Sequence, residues 1–176
     1  LCWGGNFDGQ LGRTPTGGFL TSPGLVTTPT SGSEWTDIAP GLAHTCGIRD
    51  DATLWCWGSN ADGQLGTGGV GSGPTPRRVG NNWASVDVGL NHTCGVQGSA
   101  GLRCWGNNNA GQLGDGTTTT RSTPVAIGAP EFGGWAGVVS SGFDGTCALG
   151  GFTEDRMWCW GENGNGQLAD GTTNDH

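Results

Sequence analysis

The stretch CWGSNADGQLG, Cys56 to Gly66, occurs four times in this chain, and that recurrence constrains the fold more than any other feature. The other copies are CWGGNFDGQLG from Cys2, CWGNNNAGQLG from Cys104 and CWGENGNGQLA from Cys159, with starts 54, 48 and 55 residues apart. Such a period belongs to arrays in which each repeat is one supersecondary unit stacked on its neighbours. A second line precedes the last three copies: WTDIAPGLAHTCGI from Trp35, WASVDVGLNHTCGV from Trp83 and WAGVVSSGFDGTCAL from Trp135. Four copies of one line against three of the other predict that residues 1–12 are the remnant of a truncated unit. Complete units then follow over 33–66, 83–114 and 135–169, with linkers at 13–32, 67–82 and 115–134.

The units should be built of strands. The chain carries 38 Gly and 8 Pro, has no run of helix formers, and scatters its apolar residues in short segments, the pattern of strands joined by turns. No apolar run approaches a membrane span, so membrane insertion is not expected. The formal charge is −8, with seven Arg and no Lys. Without a basic patch there is little to neutralise phosphates, which argues against nucleic acid as a partner.

Six of the seven cysteines pair by position: Cys46 with Cys56, Cys94 with Cys104, and Cys147 with Cys159. Each pair brackets a turn-rich centre, which reads as a hairpin. Folding Cys46-Gly47-Ile48 back on Leu54-Trp55-Cys56 sets the cysteines opposite each other at a distance a disulfide spans. One bridge per hairpin is therefore expected, with Cys2 unpaired, and three bridges point to an extracellular or periplasmic protein. Two other readings stand beside it. Zinc could draw on His44, Cys46 and Cys56, or on His92, Cys94 and Cys104, although Gly145 occupies the His position of the third unit. Reduced cysteines could simply fill the core.

In the first line the recurring Asn6, Asn60, Asn108 and Asn163 suit side-chain-closed turns, and Gly9, Gly63, Gly111 and Gly166 suit positive φ. The glutamines Gln10, Gln64, Gln112 and Gln167 would bond turn backbone, while the leucines that follow them pack, so the stretch predicts a tight buried corner. A calcium loop is the rival, but its acidic position runs Asp8, Asp62, Ala110, Asn165 and no bidentate Glu follows. Seven of the nine tryptophans occupy two repeat positions and are expected to pack between units. Trp55 and Trp158 lie outside those positions and should face away from the neighbouring cysteines. His44 and His92 read as hydrogen-bonded structural residues. The Asn91-His92-Thr93 sequon falls in an expected strand.

Together W-x-x-[IV]…G-x-x-HTC-[GA] and CWG-x-N-x-x-GQLG resemble the repeat of the regulator of chromosome condensation family, over about 140 of the 176 residues. The resemblance implies an all-β fold, a β-propeller usually of seven four-stranded blades, of which this chain would form about half. It also implies, as one activity, guanine-nucleotide exchange on a small nuclear GTPase together with chromatin binding. The paired cysteines depart from nuclear members and place the chain closer to secreted bacterial ones.

No nucleophile–base pair, paired carboxylate or phosphate loop recurs, so neither catalysis nor a cofactor is expected. The expected role is a non-enzymatic protein-interaction module, with the remaining blades of the full-length chain and an unidentified protein as partners. Surface carbohydrate binding and a GTPase regulator are the alternatives. Partner contact is expected at Trp55, Arg103, Phe152, Glu154, Asp155, Arg156 and Trp158, on and beside the variable hairpins.

Overall fold

A computed structural model describes residues 1–27, 33–98, 101–128, 134–150 and 156–176. Its described residues form thirteen strands in four antiparallel sheets and no helix. The first sheet pairs β1 (Cys2–Gly5) with β2 (Phe19–Gly24). The second runs β3 (Trp35–Pro40), β4 (His44–Arg49), β5 (Leu54–Gly58), β6 (Gly73–Gly80), each strand beside the next in sequence. The third repeats that order with β7 (Trp83–Val88), β8 (His92–Gln97), β9 (Gly101–Gly106) and β10 (Arg121–Ala126). The fourth contains β11 (Trp135–Ser141), β12 (Gly145–Gly150) and β13 (Arg156–Gly161). Four-stranded meanders stacked face to face are blades, and the chain is part of a β-propeller.

The cysteine register sets the centre of each blade. Cys46 lies opposite Cys56, Cys94 opposite Cys104 and Cys147 opposite Cys159. Each pair is bonded, with Cα atoms 4.1 Å apart. Cys2 on β1 is free. The zinc reading fails on this geometry, because the sulfurs it needs are in disulfides. Reduced core cysteines are likewise replaced by bridges.

The segments expected as linkers differ from expectation, for 13–32, 67–82 and 115–134 carry β2, β6 and β10. Their prolines, Pro23, Pro74, Pro76 and Pro124, read as loop signals, yet an outermost strand has one edge that needs no hydrogen-bond donor and tolerates proline. Irregular register where each of these strands joins its neighbour accommodates them.

Alternation gives each blade two unlike faces. The disulfide face of the second sheet, with Cys46, Ile48, Leu54 and Cys56, packs on Trp83, Val86, Val88 and Trp105 of or beside the next sheet. The third sheet does the same, Cys94, Val96, Leu102 and Cys104 meeting Trp135, Ala148 and Trp160. Stacking is therefore directional: disulfide face onto tryptophan face.

Candidate functional site

The buried chemistry of the chain lies in the seams between blades. Each corner is closed by its own amides: Asn60 Oδ1 accepts from Leu65 N at 2.9 Å, Gln64 Oε1 accepts from Asp62 N at 2.9 Å, and Asn60 Nδ2 donates to Gly69 O at 2.7 Å. Asn6, Asn108 and Asn163 make the equivalent bond to Leu11, Leu113 and Leu168. With its side-chain oxygen bonded to the turn, the glutamine offers its main-chain carbonyl to the next blade. Gln10 O accepts from Trp57 Nε1 (2.9 Å) and Thr45 Oγ1 (2.8 Å), Gln64 O from Trp105 (2.9 Å) and Thr93 (2.8 Å), and Gln112 O from Trp160 (3.0 Å) and Thr146 (2.8 Å). The glycine that ends GQLG makes room for that indole. A Cβ on Gly66 would lie 2.7 Å from Trp105 Nε1, and one on Gly114 2.6 Å from Trp160 Nε1. In the fourth copy Ala169 stands at this position with φ of 58°.

The histidines complete the seam. His44 Nε2 lies 2.9 Å from Thr93 Oγ1, and His92 Nε2 lies 2.9 Å from Thr146 Oγ1. Each threonine hydroxyl already donates to a glutamine carbonyl, so the histidine must be the donor and carries its proton on Nε2. That leaves Nδ1 of both rings unprotonated and without a hydrogen-bond partner. Burial lowers the His44 pKa to about 3, with the nearby His92 adding to it, and burial lowers that of His92 to about 4. Both rings are neutral structural donors, not acid–base catalysts. Thr93, the sequon threonine, is committed to the same network.

Tryptophan packing follows the repeat with one exception. Trp35–Trp57, Trp83–Trp105 and Trp135–Trp160 pack in tilted or edge-to-face pairs with centroids 5.5, 5.4 and 5.7 Å apart, each pair adding about 1 kcal/mol beyond burial. Trp3 was expected to pack likewise but is 60% exposed, because no corner carbonyl or partner indole lies on its face among the described residues.

The sequence-derived contact residues that are described lie on strands of three different sheets. Trp55 is half-buried and donates to Thr53 Oγ1 at 2.8 Å, and Arg103 is half-buried on β9. Arg156 and Trp158 are exposed on β13. Phe152, Glu154 and Asp155 lie outside the described residues. Trp158 borders an open cleft of about 870 Å³ that also includes Asn109, Thr117, Trp135, Asp175 and His176. Among the described residues no three His, Cys, Asp or Glu side chains are placed to hold a metal.

The loops beside the corners carry a feature that sequence reasoning missed. The loops 41–43, 89–91 and 142–144 enter β4, β8 and β12 beside the corners, as shown by Ser59 N bonding Ala43 O, Asn107 N bonding Asn91 O and Glu162 N bonding Asp144 O. Their equivalent residues are Leu42, Leu90 and Phe143, with Leu42 71% and Phe143 70% exposed. Leu90 N bonds Phe143 O, so two of the three loops touch. The sequence shows only an apolar residue kept between Gly and the x-[HG]-T-C strand, and its exposure is what marks it out.

A propeller of repeated blades whose seams are closed by GQLG corners is the class these features define. The model for the Regulator of chromosome condensation (RCC1) repeat matches residues 51–96 and 104–149, just over half of the chain, and a second model of the same description matches 35–64. The chain belongs to the RCC1 repeat family. It is similar to human WBSCR16, at 24% identity and a TM-score of 0.75, over 89% of this chain and 40% of that one. It is also similar to Prp20p of Saccharomyces cerevisiae, a protein characterised for binding Gsp1p and histones, at 19% identity and a TM-score of 0.73, over 90% and 36%. The entire ectodomain of the Physcomitrella patens receptor kinase CR4 matches at 18% identity and a TM-score of 0.53, over 85% and 35%. The chain thus spans about two fifths or less of these solved chains, and at these identities what is shared is the fold.

Proposed function

We propose that this chain is a non-enzymatic protein-interaction module of a secreted or periplasmic repeat protein, acting together with further blades. One observation carries the reading: the His Nε2 groups, the corner Asn amides and the Gln carbonyls are used by the seams, whereas equivalent loops turn Leu42 and Phe143 outward beside the corners. Repeated exposed apolar residues on equivalent loops suit a protein partner. The net charge of −8 favours a basic partner over nucleic acid. Binding to Gsp1p and histones by yeast Prp20p, and the use of the fold in a receptor ectodomain, support a protein-binding role. Three bridges, two of them fully buried and the third half-buried, support an oxidising compartment and weigh against a nuclear exchange factor.

The cleft beside Trp158 favours carbohydrate as a second reading, since an exposed indole with amide, hydroxyl and carboxylate neighbours suits a sugar ring. The two separate cleanly. Cross-linking to the host's extracellular fraction should yield a discrete adduct with the wild type that the Leu42→Asp/Phe143→Asp variant fails to form. Specific glycan-array signal lost in Trp158→Ala, with no such adduct, would select the sugar reading instead.

A further inference from the structure

Asn91-His92-Thr93 is the sole Asn-x-Ser/Thr sequence in the chain, and the fold treats its three residues differently. His92 and Thr93 are buried and held in the seams, His92 by Thr146 and Thr93 by His44 and Gln64 O. Asn91 is half-buried in the loop that precedes β8. Its main-chain carbonyl accepts from Asn107 N at 2.9 Å, but its side-chain amide bonds none of the described residues.

The repeat shows which way that amide points. Asp144 takes the place of Asn91 in the next blade, its carbonyl accepting from Glu162 N as that of Asn91 accepts from Asn107 N. Asp144 turns toward the preceding corner, where its Oδ1 accepts from Nε2 of the buried Gln112 at 3.2 Å. Gln64 is the corresponding glutamine for Asn91, and its Nε2 is buried with no hydrogen-bond partner. Asn91 has therefore turned its amide away from that corner. It borders an open polar cleft of about 350 Å³ between the third and fourth sheets, together with Asn107, Asn109, Gln112, Asp144 and Glu162.

We propose that Asn91 is an N-glycosylation site and that this cleft seats the first sugar of the glycan. The sequon supplies the acceptor amide and the hydroxyl that a transferase reads. The amides and carboxylates around the cleft supply acceptors and donors for a hydroxyl-rich ring. In the folded chain Thr93 Oγ1 is engaged by Gln64 O and His44, so transfer precedes closure of the seam. The co-reactant is an oligosaccharide carried on a polyprenyl diphosphate. Asn91 Nδ2 bonds to its anomeric carbon, the bond from that carbon to the diphosphate oxygen breaks, the diphosphate leaves with the electron pair, and one amide proton passes to a base of the transferase. The inference rests on the export proposed above, because this transfer takes place in the secretory route.

The test uses the full chain, secreted behind a cleavable signal by a eukaryotic host that carries out this transfer. Secreted protein is treated in heavy-oxygen water with an amidase that releases N-linked glycans, and the peptides holding Asn91 and the Cys94 and Cys104 pair are weighed. Asn91 should return as aspartate bearing heavy oxygen in most chains, and the gel band should fall on treatment to the mobility of Asn91→Gln. Unmodified Asn91 in chains with Cys94 bridged to Cys104 would overturn the site and leave the export reading standing. Modified Asn91 with both thiols free would support the site and count against the export reading. A second variant, Asp62→Thr in the Asn91→Gln background, builds a sequon on Asn60, which is fully buried with its Nδ2 bonded to Gly69 O. A glycan there has no cleft to enter, so secretion should drop several-fold below the wild type. Equal secretion of the two glycosylated proteins would overturn the seating of the sugar in the cleft.

Discussion

Acidification should loosen this protein through two buried rings, and the seam geometry sets the size of the effect. His44 and His92 have pKa values of about 3 and about 4 against an ordinary value of 6.5, because burial disfavours their charged forms. Protonation would add an Nδ1–H that finds no acceptor in either seam. A depressed folded pKa on a histidine means the unfolded chain takes up protons first as pH falls. Stability is therefore full above 6.5 and is lost progressively below it, down to the folded values. Each pH unit in that window costs about 1.4 kcal/mol per ring, so a drop from about pH 7.5 to about pH 5 should cost about 2 kcal/mol per ring and about 4 kcal/mol in all. That is a large share of the 5–15 kcal/mol typical of a domain.

The assay is urea unfolding by tryptophan fluorescence at both pH values, for the wild type and for His44→Gln/His92→Gln, whose amides still reach Thr93 and Thr146. Asp115 and Asp170 hold pKa values below the usual carboxylate range through bonds to Thr117 and Arg121, and to Thr172, respectively, so their contribution is lost only at lower pH. Asp87 is raised by burial, and its protonation works in the opposite direction, but equally in both proteins. The wild type should lose about 4 kcal/mol more than the double variant over this interval. Equal losses would refute the assignment of neutral, acceptor-less rings.

Other consequences can be measured by the same unfolding assay. Asn60→Ala strips the partner from the buried Leu65 N–H and one from the exposed Gly69 C=O, and should cost about 1–3 kcal/mol. Trp105→Phe loses the bond to Gln64 O and part of the edge-to-face contact with Trp83, for about 2 kcal/mol. Trp3→Phe, at an exposed position, should fall within about 0.5 kcal/mol of the wild type. Gly66→Ala meets both a φ of 71° and the Trp105 indole and should cost about 2–5 kcal/mol, whereas Ala169→Gly relieves the same left-handed backbone and should gain up to about 1 kcal/mol.

Much of this architecture was legible in the residues because the repeat states each constraint several times. The spacing of Cys46 and Cys56 around Asp50-Asp51 fixed a hairpin register that the structure shows as Cys46 opposite Cys56. Asn, Gly and Gln recurring in the corner pointed to an amide-closed turn, which Asn60 and Gln64 form. The fourth strands were hidden because Pro76 and Pro124 break a strand signal without breaking an outermost strand. What the sequence could not show was direction across the seam. Nothing local in HTC says that His44 bonds a threonine of the next repeat, 49 residues on, or that Thr93 returns that bond to Gln64. The exposed Leu42 and Phe143 were hidden for the converse reason: apolar residues in a Gly-rich stretch read as packing until burial is known.

The most direct test of a disulfide-stapled propeller working in an oxidising compartment is peptide mapping by mass spectrometry. The protein should come from its native host, with thiols blocked at lysis. Bridges Cys46–Cys56, Cys94–Cys104 and Cys147–Cys159, none of them scrambled, are the predicted result. Seven blocked free thiols would contradict it, returning the cysteines to a reduced core and the protein to an intracellular setting.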